Sequence, residues 1–273
     1  MAYSAAMTAT LRSLALVTGA SAGIGAEFCR QLAARGHDLV MVARRRERLA
    51  TLAHELATRH GVSTSLVAVD LGAPDAIPQV LSMLEDRPVT CLVNNAGYGV
   101  PGRYLDSTWE DHARFQRVMI ASVAELTHAL LPGMLRSGQG RLINVASLAG
   151  LLPGSAGHTL YGASKAWMIR WSESLAFEYR ERGLGVCALC PGFTYSEFHD
   201  VTGTRAQVAR LPRWLWMSAD EVVAAALAAS DAGQLLCIPG RVNRLIARAA
   251  RWLPMGVVHY LSARESRRVR SLD

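Results

Sequence analysis

Lysine is almost missing from this 273-residue chain: of its 29 basic side chains, 28 are arginine and one is Lys165. Charge of either sign is sparse, at 19% of residues, while 51% are hydrophobic. That balance excludes a disordered or coiled-coil chain and leaves enough apolar surface for a core. No apolar run reaches the roughly 18 residues that a membrane-spanning helix needs. No hydrophobic leader with a cleavage site precedes the first strand pattern, so a cytoplasmic protein is expected. Cysteines are few and odd in number, five scattered through apolar runs. They read as buried free thiols of a reducing compartment. Cys187 and Cys190 have CxxC spacing, but Cys190 precedes Pro191 and no second pair exists, so no metal site is expected.

The net charge of +7 is unevenly placed. Residues 241–273 carry eight arginines and two acids, which leaves the first 240 residues at +1. A basic tail without a reading motif does not make a nucleic-acid binder.

Short apolar runs alternate with helical patterns along the chain. Leu14–Val17, Leu39–Ala43, Ser65–Val69, Val89–Val93, Arg141–Ala146, Val186–Cys190 and Leu235–Ile238 read as buried strands. Apolar spacing predicts helices over Gly23–Arg35, Arg45–His60, Ala76–Asp86, Leu105–Gly138, Tyr161–Arg182 and Ala219–Ala229. Strands joined through helices imply a parallel sheet covered on both faces. The expectation is an α/β chain with one doubly wound, Rossmann-type domain, a seven-stranded parallel sheet and a C-terminal helical extension. The domain covers 1–240, with a weakly periodic stretch at 191–217 as a lid over a pocket. The lid carries Phe193, Phe198, Trp214 and Trp216, which could line the pocket or only pack the lid down.

The chemistry concentrates at the strand ends. After the first strand comes Thr18-Gly19-Ala20-Ser21-Ala22-Gly23-Ile24-Gly25. Glycines there let backbone approach a pyrophosphate at a helix N-terminus. The second strand ends Ala43-Arg44-Arg45-Arg46. An acid would bind a ribose 2′-OH there, whereas guanidiniums suit a 2′-phosphate, so NADP(H) is expected over a merely solvated basic helix start. Asp70 ends the third strand and either bonds an adenine amino group or caps the next helix. Asn94-Asn95-Ala96-Gly97 ends the fourth. Tyr161 and Lys165 stand four residues apart, hence on one helix face, and the ammonium is expected to lower the phenol's pKa. Ser147, ending the fifth strand, could hold a substrate oxygen beside them.

Taken in order, these motifs resemble the short-chain dehydrogenase/reductase family, of the compact NADP(H)-dependent type similar to bacterial ketoacyl and ketosteroid reductases. The resemblance spans residue 14 to about 200. It implies Ser147, Tyr161 and Lys165 as catalytic residues, with Tyr161 the acid/base. It implies Gly19, Ser21, Gly23, Ile24, Gly25, Arg44, Arg45, Asp70, Asn94, Ala96, Gly97, Tyr161, Lys165, Pro191, Gly192 and Thr194 at the cofactor, with Ser196 near the pyrophosphate. The substrate implied is a small apolar ketone or alcohol, such as a 3-oxoacyl thioester or a steroid. Two departures stand out. Met119 replaces the family's asparagine, which holds a water beside the lysine in a proton relay; a detour through Ser122 or slow turnover follows. The Ser147–Tyr161 spacing is one residue longer than usual. A catalytically weak NADPH-binding sensor is the competing reading.

Apolar residues on several faces of the two long helices, among them Trp167, Ile169 and Trp171, predict a homo-oligomer. In the tail, Arg241, Arg244, Arg248 and Arg251 fall on one helical face. Val242, Leu245, Ile246, Ala249 and Trp252 fall on the other. That pattern fits a pocket wall with its arginines in water, or peripheral contact with an anionic membrane.

Overall fold

The computed structural model describes residues 12–84, 87–157, 159–197 and 212–269. Seven strands form one wholly parallel sheet: β1 Leu14–Thr18, β2 Asp38–Ala43, β3 Thr64–Ala68, β4 Val89–Asn94, β5 Arg141–Val145, β6 Gly185–Leu189 and, last in chain order, β9 Leu236–Cys237. Their spatial order is β3-β2-β1-β4-β5-β6-β9. The direction of winding therefore reverses between β1 and β4, and a crevice opens there at the strands' carboxyl ends.

Successive strand residues face opposite sides of the sheet. Ala15 and Val17 of β1 join Phe28 and Leu32 of α1 (Gly23–Ala34), Leu49, Leu52 and Leu56 of α2 (Arg46–His60) and Val223 of the later helix Ala219–Asp231. Leu14 and Leu16 turn the other way. They meet Ile77 of α3 (Ala76–Ser82), Leu126, Leu130 and Met134 of α5 (Ser122–Ser137) and Leu175 of α6 (Thr159–Tyr179). Each fully buried side chain of this size contributes roughly 1.5–3 kcal/mol, so both faces anchor the strand ends. All five cysteines are buried free thiols.

Several boundaries differ from the sequence pattern, among them the end of α3 at Ser82, short of the expected Asp86. The helix expected over Leu105–Gly138 is broken at Ser107, which is extended at φ −120° and ψ 156°. Thr108 and Asp111 then form a reciprocal cap that starts α4 (Trp109–Gln116). A π-helical turn, Arg117–Ala121, joins α4 to α5. This Trp109–Ser137 stretch is long and apolar enough to cross a membrane. Its Phe115, Met119, Leu126 and Met134 are nevertheless buried within the protein. The helix expected to run to Arg182 ends its α-helical part at Tyr179, with a tighter turn to Arg182. In the lid, β7 (Phe193–Thr194) pairs in parallel with β8 (Trp216–Met217), a ladder too short to read from periodicity. Phe198 lies outside the described residues.

The chain closes with α7 (Ala219–Asp231), capped by Ser218 and Glu221, then α8 (Arg241–Trp252) and α9 (Met255–Val269). Asn243 of α8 is buried and donates to the Pro239 carbonyl at 2.8 Å. A Cβ on Gly192 would collide with the Asn243 side chain, so α8 is seated directly on the loop after β6.

Candidate active site

The loops at the sheet's carboxyl edge surround an open cavity of about 1410 Å³. At its centre Ser147 follows β5, and its Oγ accepts from the Ala149 amide at 3.1 Å. The turn Leu148–Leu151 packs so tightly on α6 that a Cβ at Gly150 would stand 2.6 Å from the Lys165 carbonyl carbon. This contact holds Ser147 against the helix carrying Tyr161, and both side chains line the cavity. The loop before α6 turns at Gly157, which adopts φ 83°.

Lys165 is buried and donates from Nζ to the Val145 carbonyl at 2.6 Å. Burial pulls its pKa down to about 8. The nitrogen stands 5.8 Å from the centre of the Tyr161 ring. The expected lowering of the Tyr161 pKa is not found. Burial raises it to about 12, opposed by the Ser147 hydrogen bond. The physical reason is that the ammonium is spent on a carbonyl and does not reach the phenol oxygen.

Met119 is fully buried in the π-helical turn, and its Sδ would stand 3.0 Å from a Cβ on Gly97. The Lys165 Nζ is the next group met there, at 3.7 Å. A thioether thus packs beside the lysine. Ser122 does not supply the detour, because its single hydroxyl proton is held between the carbonyls of Leu71 at 2.7 Å and Arg117 at 2.9 Å.

Toward the other end, Gly19 sits at φ 69°, where a Cβ would meet Asn95 Nδ2 at 2.7 Å. Gly23, at φ 54°, leaves room for Ser196 of the lid loop, 2.9 Å from a Cβ position. The backbone here forms a cradle that any side chain would fill, and it opens at a helix N-terminus, as a pyrophosphate requires. Thr18 and Asn95 lock this cradle. Thr18 Oγ1 accepts from the amides of Asn95 and Ala96 at 3.0 and 3.1 Å, and Asn95 Nδ2 donates to the Thr18 carbonyl at 2.9 Å.

Arg44 and Arg45 line the cavity beyond the cradle. Arg45 donates to Ser21 Oγ at 3.2 Å and pairs with Glu197 at 2.9 Å. Arg48 pairs with the same carboxylate. These two guanidiniums, Arg48 foremost, hold Glu197 below the usual carboxylate range. Asp70 is also held low: burial opposes, but the Gly72 amide and Arg114 prevail.

Of the expected site residues, Ser147, Tyr161, Lys165, Gly19, Ser21, Gly23, Ile24, Arg44, Arg45, Asp70, Ala96, Gly97, Pro191, Gly192, Thr194 and Ser196 all line this cavity. Two do not. Asn94 is buried, its amide spent on Thr127 Oγ1 at 3.0 Å and Asn144 Oδ1 at 2.9 Å; Asn95 takes the rim position. Gly25 packs underneath, where a Cβ would overlap the Gly19 carbonyl. Sequence reasoning missed Asn95 and Glu197; of the tail face expected as a pocket wall, Ile246 and Ala249 line the cavity, joined by Ala250 and Leu253. The doubled asparagine was a usable signal for the first. Glu197 meets its arginines across about 150 positions of chain, which no local pattern encodes. Among the lid aromatics, Phe193 lines the cavity and Trp216 stacks on Tyr195 at 4.9 Å, whereas Trp214 is exposed.

The sheet order, the glycine cradle and the Ser-Tyr-Lys cluster are those of a dinucleotide-dependent oxidoreductase. The short chain dehydrogenase family model matches residues 13–206, and the chain belongs to that family. It is 32% identical over 203 residues to a very-long-chain 3-oxoacyl-CoA reductase of Anas platyrhynchos, a match covering 72% of this chain and 65% of the relative. The chain thus matches a little less than two thirds of that relative's length. A short-chain dehydrogenase from Sphingobium yanoikuyae, solved in complex with NADPH, superposes with a TM-score of 0.79 at 34% identity, over 90% of this chain and 95% of the other. A short chain dehydrogenase/reductase from Burkholderia phymatum in complex with NAD gives 0.78 at 25% identity, over 87% and 92%. The chain thus has the fold of that family and places its strand-end residues around one cavity.

Proposed function

We propose that the protein is an NADP(H)-dependent reductase of an apolar ketone, of the 3-oxoacyl, steroid or another lipid class, or the corresponding alcohol dehydrogenase. The observation that carries this reading is the convergence of Ser147, Tyr161 and Lys165 on one cavity walled by Leu152, Phe193, Leu215, Ile246 and Leu253. The similarity to 3-oxoacyl-CoA reductases supports the same substrate class.

A bound nicotinamide supplies or accepts the hydride. The chain's own residues manage the proton. Ser147 orients the carbonyl by donating to its oxygen. Tyr161 gives that oxygen its proton; with a pKa near 12 it is fully protonated at neutral pH, the form reduction requires. Lys165, a buried cation 5.8 Å from the centre of the phenol ring, would bind the nicotinamide ribose. The cradle at Gly19–Gly23 would hold the pyrophosphate. Arg44 and Arg45 would hold a 2′-phosphate, and Asp70, Ala96, Gly97, Pro191, Gly192 and Thr194 would flank the rest. Ala43, standing where an acid would favour NAD, supports the NADP(H) preference. The residues from 241 onward act as part of the same cytoplasmic enzyme unit, because Asn243 ties α8 to the loop after β6. The protein works as a homo-oligomer, a reading supported by exposed Trp109 on α4 and Phe177 on α6.

The second reading, a catalytically weak NADPH sensor, is favoured by buried Met119 alone. Purified protein offered 3-oxoacyl thioesters and steroid ketones with NADPH or NADH separates the two. The expected result is NADPH oxidation that falls at least about a hundredfold in Tyr161→Phe. NADPH binding without turnover on any ketone would leave the sensor.

A further inference from the structure

The C-terminal helices divide their surfaces in a way the cavity does not account for. Ile246, Ala250 and Leu253 of the α8 segment and Val258 of α9 face the cavity. The opposite side of α8 presents Arg241, Arg244, Arg248 and Arg251, all exposed. Leu245 and Trp252, expected on the apolar side, stand among them instead, 67% and 83% exposed. At 100° per residue these six share an arc of about 120°. Tyr260 of α9 is 66% exposed. No acid occurs anywhere in α8. Leu253 is both a cavity residue and 42% exposed, so it marks the rim where this face meets the opening.

We propose that the outer face of α8 and α9 docks on an anionic lipid bilayer, with the cavity rim turned toward it. Charge complementarity selects the occupant. Arginine side chains can lay apolar stems along lipid while their heads meet phosphates, and indole and phenol rings settle at headgroup depth. Trp252 and Leu245 interspersed among four arginines fit that boundary. A nucleic acid would leave the leucine unmatched, and a cytosolic acidic partner would leave the tryptophan partly in water. The contact is peripheral, because α8 has 12 residues and its other side is occupied by the cavity wall. Binding does not depend on the substrate assignment and is read without turnover.

Co-sedimentation of the full chain tests it, with vesicles of phosphatidylcholine alone and of phosphatidylcholine mixed with phosphatidylglycerol. Wild type should pellet with the mixed vesicles at low salt, stay in solution with the neutral ones, and be released by high salt. Arg248→Glu with Arg251→Glu should weaken partitioning by at least about tenfold, and Trp252→Ser should weaken it several-fold. Unchanged thermal unfolding shows that each variant is folded; if Trp252→Ser is not, Leu245→Ser replaces it. Wild type remaining in the supernatant overturns the proposal, as do folded variants that pellet like wild type. A wild-type dimer that Trp252→Ser splits, without vesicle binding, assigns the face to a second copy and overturns it too.

Discussion

Tyr161 and Lys165 are shifted in opposite directions by one cause: burial disfavours whichever form is charged. The phenol goes up to about 12 and the amine down to about 8. For the lysine this has a consequence in stability. Unfolded, it holds its proton to 10.5, while folded it releases it near 8. Between these values the unfolded chain binds more protons, so this contribution to stability grows as pH rises. Urea unfolding of wild type and Lys165→Met at pH 7.5 and pH 10 should show wild type gaining on the variant, by up to about 3 kcal/mol. Parallel slopes would show that the ammonium is better solvated than its burial implies. Arg45 supports a second expectation. Arg44→Ala with Arg45→Ala should weaken NADPH binding by about 1.5–3 kcal/mol and leave NADH nearly unchanged, as titration calorimetry would read. Glu197→Gln should act oppositely and tighten NADPH, by removing the carboxylate that competes for Arg45. Equal weakening of both cofactors in the arginine variant would remove the 2′-phosphate assignment. Met119→Asn should fold and turn over at least as fast as wild type, because the amide would place a hydrogen-bonding group beside Lys165.

Among the elements, the short turn after β5 is the most exacting. Its Gly150 lies against α6 backbone that cannot yield, since a Cβ would meet Lys165 and Ala166 main-chain atoms below 3.0 Å. Gly150→Ala should cost about 1–3 kcal/mol of stability. It should also lower kcat by moving Ser147, with NADPH affinity retained. A variant that loses stability but keeps kcat would detach the turn from catalysis. The π-helical turn between α4 and α5 was hidden in the sequence, because apolar spacing on either side of it is uninterrupted. It sets Met119 against Gly97.

At the scale of the molecule, Leu105, Trp109 and Phe177 are large apolar side chains left exposed among the described residues. Ile169, by contrast, is buried and Trp167 stacks on Trp171 at 5.1 Å, so these belong to the protein's own packing. Light scattering should give a mass at least twice 29.5 kDa. Trp109→Glu with Phe177→Glu should return it to the monomer. A wild-type monomer at micromolar concentration would end the homo-oligomer reading.

The sequence by itself determined the seven strands of the main sheet, the order of the helices and the Ser147–Tyr161–Lys165 cluster. Each is written in local features: buried runs, helical periodicity, glycines at strand ends and a spacing of four on one helix. It also located the basic tail, though not which tail residues face inward, because a helix's orientation depends on what it packs against. Only the tertiary structure exchanged Asn94 for Asn95 at the cavity, joined Glu197 to Arg45 and Arg48, and committed Ser122 to the Leu71 carbonyl. It also reversed the expected shift of Tyr161. These depend on partners distant in the chain and on local solvation, and neither is encoded in a run of neighbouring residues.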